Sequence, residues 1–323
     1  MTDAPGAPGP RSTARAPKPD LEALLQALRK ALAARDEDPS GSWVEESADE
    51  LARGLRTGWY LPGTPGGIAF YAGRGRAAFG HLHAEGGLRT ARGLAAVLLR
   101  SLPPEVDSLD LGFTGLSLEE ERALVRELAS APGSTVIERR AMERSVRLED
   151  GRLAADPPPG VDRVPIGAVT TEALTDLDRV GFRGSIDALL IGDEPGAYRD
   201  ALEAMVGGRF GRFLPEASAA LVEPEPTRLV GAVLSAERST RRAVVLDLVI
   251  DPERRRVGLG RYLLGWTLRA FSALGYESAR LWVSERNAAA LALYARFGFR
   301  TTLRATIYRW DRAASAPQPQ PSR

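Results

Sequence analysis

The sequence predicts an α/β protein, built on mixed sheets of the α+β kind and divided into two domains. Three observations carry this. The chain has 323 residues, more than the roughly 250 to 300 at which one hydrophobic core stops growing. Its 44% hydrophobic and 26% charged content is that of a chain able to bury a core. Strand and helix periodicities alternate in both halves, with adjacent strands ahead of a late helix and strand alternation.

The elements follow in order. Residues 1–19 and 313–323 are rich in Pro, Ala, Ser, Gln and Arg without apolar periodicity and are expected to be disordered tails. From Asp20, a predicted N-cap, Leu21, Leu24, Leu25, Leu28 and Leu32 recur at helical spacing. Residues 47–59 read as a second helix, 66–85 as two strands around a Gly-Arg-Gly turn, and 90–102 as a third helix. A strand at 106–113, a helix at 117–129 and an extended stretch at 134–148 complete the first domain, 20–155. Asp156-Pro157-Pro158-Pro159-Gly160 can continue neither a helix nor a central strand and marks the expected boundary. The second domain, 162–312, is predicted as a strand (163–169), two helices (170–182 and 195–206) and three strands (217–223, 228–237 and 243–250). A helix (258–274), a strand (278–284), a helix (287–298) and a closing strand (301–310) follow.

Composition excludes several classes. Zero cysteines remove disulfides, thiolate metal sites and a cysteine nucleophile. A net charge of +1 gives no broad attraction to nucleic acid or to a membrane surface, and neither is expected as a partner. No run approaches the about 18 apolar residues of a membrane span, and residues 1–20 lack the apolar centre of a secretory signal, so a cytoplasmic location is expected. His81 and His83 alternate on one predicted strand but have no third ligand, and no metal is expected.

The chemistry concentrates where the strand ending at Asp251-Pro252 runs through a glycine-rich turn into a helix. A helix N-terminus presents unpaired N–H groups and the positive end of its dipole, which suits a pyrophosphate. Gly258 and Gly260 allow close backbone approach, and Arg254, Arg255, Arg256 and Arg261 add charge at the same turn. The spacing fits neither a nucleoside triphosphatase loop nor a dinucleotide fingerprint.

Arg255-Arg256-Val257-Gly258-Leu259-Gly260 resembles the R/Q-x-x-G-x-G/A loop of the GNAT superfamily of N-acetyltransferases. Asn287, Ala290, Leu293, Tyr294, Gly298 and Phe299 are similar to that family's second motif, N-x-x-A-x-x-L-Y-x-x-x-G-F. The resemblance implies a GNAT acyl-CoA N-acyltransferase fold for the second domain, with acetyl-CoA as acyl-donor co-substrate. It implies that the backbone of Leu248, Val249 and Ile250 and the side chain of Asn287 meet the pantetheine arm. It also implies that Arg255, Arg256, Val257, Gly258, Leu259, Gly260 and Arg261 hold the pyrophosphate. Tyr294 matches the family tyrosine placed to protonate the departing thiolate.

The implied reaction is direct attack of a primary amine, on a small molecule or a peptide, on the thioester. The general base stays open among Asp247, Glu285 and Asp311. On a regular strand Val244, Leu246 and Leu248 share one face and Asp247 points away, an inference that a bulge reverses. Trp266 and Phe271 read as core. The order within residues 50–150 resembles a degenerate copy of the same fold, as in tandem members of the family such as the mycothiol synthases, and no acceptor signature is present. The alternative is a non-catalytic acyl-CoA-binding regulatory protein, and a protein-interaction module is a third reading. A monomer or homodimer is compatible with all three.

Overall fold

The computed structural model describes residues 10–13, 18–35, 50–51, 53, 57–61, 66–74, 77–146, 157–192, 196–224 and 227–312. The chain forms two compact units, residues 1–137 with 305–323, and residues 138–304. They do not divide at the 156–160 break. The chain leaves the first unit within the strand Ser134–Ser145 and re-enters it within the last strand, Arg300–Asp311.

In the first unit α1 (Lys18–Arg35) is followed by β2 (Thr57–Leu61), β3 (Gly67–Arg74), β4 (Ala77–Ala84), α2 (Gly87–Arg100), β5 (Ser108–Thr114) and α3 (Leu118–Leu128). A short β1 (Arg11–Ser12) pairs with β2, and β2 to β4 form an antiparallel meander. β4 and β5 run parallel because α2 crosses between them. The end of β13 (Arg300–Asp311) lies antiparallel to β5, from Ile307↔Gly112 to Asp311↔Ser108. The five α1 leucines expected on one face pack on Tyr60, Ile68 and Phe70. Leu94, Leu98 and Leu124 of α2 and α3 pack with Leu82, Leu109 and Leu111. Each such buried leucine contributes about 1.5 to 3 kcal/mol of gross transfer free energy.

The second unit holds β7 (Asp162–Pro165), α4 (Thr171–Gly181), α5 (Ile186–Ile191), α6 (Ala197–Val206), β8 (Arg212–Phe213), β9 (Ala219–Pro224) and β10 (Thr227–Ser239). β11 (Arg242–Ile250), α7 (Leu259–Ala273), β12 (Ser278–Ser284) and α8 (Ala288–Arg296) follow. Its sheet runs β6 (Ser134–Ser145), β12, β11, β10, β9, β7, with β8 also on β10. α7 and α8 cover one face and α4 and α6 the other. Burial on both sides explains why β11, RAVVLDLVI, is almost continuously apolar.

The structure corrects some local expectations. Asp20 lies inside the first turn of α1 and is not its cap. Thr57 to Trp59, expected to end a helix, belong to β2, where pairing with β3 overrides weak helical spacing. The six-residue α5 was too short for periodicity to reveal, although Ser185 accepts from Ala188 N at 3.2 Å as its N-cap. The expected tails, apart from residues 10–13 and 18–19, lie outside the described residues. Among those described, no helix is long and apolar enough to cross a membrane.

Candidate active site

Three local features of the second unit meet around β11. The first is a parting of strands. β11 and β12 pair in parallel only from Arg242↔Ser278 to Val245↔Leu281. Beyond Val245, β11 keeps its bonds to β10, through Gly231↔Ile250, but has no register partner in β12. The backbone from Leu248 to Ile250 therefore has no strand partner on that side, and apart from Ile250 O, which accepts from Arg255, its edge is open to an extended ligand.

The second feature is the turn from β11 into α7. Gly258 is the N-cap of α7 at φ +97°, a conformation that L side chains rarely adopt, and no side chain caps the helix. The first amides of α7 are thus left for an external acceptor. A Cβ on Gly260 would sit 3.5 Å from Ile250 and 3.7 Å from Leu293, ordinary contacts, so the fold itself does not demand glycine there. Arg256 adopts φ +69°, and Arg256, Val257 and Arg261 are exposed.

Arg255 has partners within the protein. Its Nε donates to Ile250 O at 3.2 Å and its Nη2 to Gly181 O at 2.5 Å, tying the end of β11 to the C-terminus of α4. Arg254 is committed to Glu223. Asp251 accepts from Glu253 N at 2.9 Å and pairs with Arg228 at 2.6 Å, which fixes the turn.

The third feature is a charged cluster around Tyr294. The tyrosine is buried on α8 with its ring 5.9 Å from Phe299. Burial, reinforced by the negative charges of Asp247 and Asp187, pushes its pKa up and keeps the phenol protonated. Asn287 caps α8, accepting from Ala290 N at 3.1 Å, and its amide donates to Asp187 at 3.4 Å. Ser284 donates to the same carboxylate. Arg139 of β6, opposite Ser284, lies over Trp282 at 5.9 Å and carries the positive charge that faces Asp187 and Tyr294.

A phosphate-ready helix terminus, an unpaired strand edge and a protonated tyrosine occur together in one fold. Residues 185–299 match the model of the acetyltransferase (GNAT) family. A curated mycothiol acetyltransferase from Frankia casuarinae is 28% identical over 173 residues. That match covers 50% of this chain and 50% of the relative, so the chain spans about half the length of the curated relative it matches. Among solved structures, a GCN5-related N-acetyltransferase from Sphaerobacter thermophilus superposes with a TM-score of 0.61 at 17% identity, over 94% of this chain and 95% of that one. A tandem GNAT protein from the clavulanic acid biosynthesis pathway gives 0.57 at 15%, over 96% and 99%. The mixed α/β fold is thus that of tandem GNAT proteins across nearly the whole chain.

The N-terminal half repeats the order β4, α2, β5 without the open geometry of the GNAT segment. β4 and β5 stay paired from Ala77↔Ser108 to His83↔Thr114. Thr114 Oγ1 is 2.9 Å from His81 Nε2 and 3.0 Å from His83 Nδ1, so both histidines are engaged at the strand ends. Gly87, at the N-terminus of α2, faces Glu120, whose Oε1 would lie 2.7 Å from a Cβ there. A carboxylate of the protein thus lies at this helix N-terminus.

Of the carboxylates left open by the sequence, Glu285 is held by Arg140 at 2.9 Å and by Arg304, and Asp311 belongs to the first unit. Asp247 remains. β10 and β11 change register between Leu234↔Asp247 and Ser235↔Val245, which makes Leu246 a bulge. Leu246 consequently packs with the α4 side of the sheet and Leu248 with the α7 side, so the two do not share a face as a regular strand requires. Phe271 is core, and partly buried Trp266 packs with it while Arg163 lies 4.7 Å above its ring.

Sequence reasoning missed Asp178, Asp187 and Arg139. Only Asp178 left a signal: with Leu174, Leu177 and Gly181 it falls at helical spacing on the buried stripe of α4, where a carboxylate is out of place.

Proposed function

We propose that the second unit is an N-acyltransferase that moves the acetyl group of acetyl-CoA to a primary amine of a small molecule or peptide. The observation carrying this reading is the parting of β11 from β12 beside the uncapped N-terminus of α7. In it the edge of Leu248, Val249 and Ile250 receives the pantetheine arm as an added strand. The amides from Arg256 to Arg261, with the exposed guanidinium groups of Arg256 and Arg261, hold the pyrophosphate. Asn287 borders the pantetheine arm, and Arg255 supports the site by fixing the end of β11.

The acceptor nitrogen attacks the thioester carbon, the C–N bond forms and the C–S bond breaks. Tyr294, kept protonated by its surroundings, gives its proton to the departing sulfur. No metal takes part in this reading.

Free CoA thiol released from acetyl-CoA across a panel of amines and peptide N-termini tests the proposal, against a background without protein cysteines. Amine-dependent release is expected, with a loss of about 100-fold in Tyr294→Phe, within the range for one proton-transfer group. Gly258→Glu is expected to abolish acetyl-CoA binding, because it places a charged L residue at φ +97° where the phosphate would lie. Binding without amine-dependent release would replace the transferase by an acyl-CoA-binding regulator, and absence of binding would end both.

A further inference from the structure

Arg280, Trp282 and Ser284 alternate on one face of β12, and Glu143, Ala141 and Arg139 of β6 stand opposite them in register. Arg242 of β11, in register with Ser278, belongs to the same face and pairs with Glu143 at 3.2 Å. The end of this stripe, Ser284 with Arg139, lies beyond Leu281, where β11 has already parted from β12.

The arginines around Arg139 are engaged: Arg140 by Glu285, Arg242 by Glu143, Arg254 by Glu223 and Arg255 by backbone carbonyls. Arg139, half-buried, forms no hydrogen bond or ion pair with any of the described residues. Its Nε is buried without a partner, and its guanidinium lies over Trp282, 5.9 Å from the ring centre. Burial works against the charge, Asp187 and Tyr294 favour it, and a guanidinium stays protonated throughout. A cation kept in such a place without an anion is costly, and an incoming anion would offset that cost.

The neighbouring anion is Asp187 of α5. Ser284, directly opposite Arg139, donates to one of its oxygens, and Asn287 donates to the other at 3.4 Å. A carboxylate offers about four acceptor sites, so Asp187 retains room for an ammonium. A cation without a partner and an anion with capacity to spare thus flank Ser284 at the opening between β11 and β12.

We infer that the acceptor is an amino acid, a primary amine that carries a carboxylate, and that Arg139 receives this carboxylate while Asp187 attracts the ammonium. This rests on the acyl-transfer reading above. The two Nη groups match the two carboxylate oxygens, and Trp282 holds the plane of the guanidinium. One guanidinium balances one negative charge, whereas a phosphate dianion would leave a charge unbalanced beside Asp187. The amino acid ammonium and acetyl-CoA yield an N-acetylamino acid, free CoA and one proton released to water. The C–N bond forms at the acetyl carbon as the C–S bond breaks.

The full-length protein tests this with acetyl-CoA and probes that differ only at the anionic group: L-amino acids against their carboxamides, and ethanolamine phosphate against ethanolamine. Arg139→Gln is expected to lose about 10- to 100-fold in kcat/KM on the acids, mainly through KM, and to stay within about threefold on the carboxamides. Comparing parent and variant on each probe cancels the different basicities of the two amines. Acetyl-CoA binding is expected to be unchanged. The melting temperature is expected to hold or rise, because the substitution removes a half-buried charge that has no partner; an arginine with a merely structural role would lower it.

Any of five results overturns the inference: equal losses on acids and carboxamides, weaker acetyl-CoA binding in Arg139→Gln, a lowered melting temperature in that variant, ethanolamine phosphate turned over better than every amino acid, or no turnover of any acid. Turnover of carboxamides alone would end this inference and leave the acyl-transfer reading standing, whereas failure of the unaltered protein to bind acetyl-CoA removes that reading itself.

Discussion

Asp178 is buried on the apolar stripe of α4, and burial beside Asp247 raises its pKa, with a consequence for stability. Its folded pKa is raised above the about 3.9 of an exposed aspartate. The unfolded chain therefore releases this proton first as pH rises, and the favourable contribution, complete below about pH 4, is lost progressively toward the folded pKa. Asp178→Asn removes that loss. Thermal melts from pH 5 to pH 8 are expected to show the variant gaining on the parent by roughly 1 kcal/mol per pH unit; parallel melting curves would contradict this. The residue-scale signal was present in the sequence as a charge on an apolar stripe. Asp247 was equally visible as a carboxylate, but the face it occupies depends on one inserted residue, Leu246, that no period-two pattern foretells.

At the scale of elements, the two strands that change unit carry the most information. In the first unit Arg309 of β13 sits directly opposite Asp110 of β5 and reaches both carboxylate oxygens at 3.1 Å, with both residues buried. Burial outweighs the attraction of Arg309 and pushes Asp110 up to about 6. Such a pair is weak evidence for net stability, yet removing one partner strands a buried charge. Asp110→Ala is expected to cost about 3 to 5 kcal/mol in urea unfolding, and a cost near zero would mean that water reaches Arg309. In the second unit, β6 pairs along all of β12, from Ser278↔Ser145 to Ser284↔Arg139. The sequence showed 134–148 as extended and 301–310 as a strand, but the sheet that each joins is settled by pairing with distant residues.

For the whole molecule, two copies of one order of elements have unequal openings. In the second unit β11 and β12 part after Val245↔Leu281, while in the first β4 and β5 stay paired through His83↔Thr114 and Glu120 lies at the helix terminus. We expect one acetyl-CoA per chain by isothermal titration, abolished by Gly258→Glu and unchanged by substitution of His81. Two equivalent sites would refute the reading of the first unit as a degenerate copy.

What the sequence determined by itself was local: the amphipathic helices, the apolar strands, the mixed α/β class and a Gly-x-Gly turn whose backbone chemistry is tied to residue type. Spacing along the chain is enough to read these, because helix and strand periods and the left-handed conformation of Gly258 are short-range properties. Tertiary structure alone decided where the chain changes unit, that Arg255 would spend its guanidinium on Ile250 and Gly181, and that Asp187, Asp247 and Arg139 would gather around Tyr294. Strand pairing, burial and the clustering of charges arise from contacts between residues far apart in the chain, and only the folded arrangement sets them.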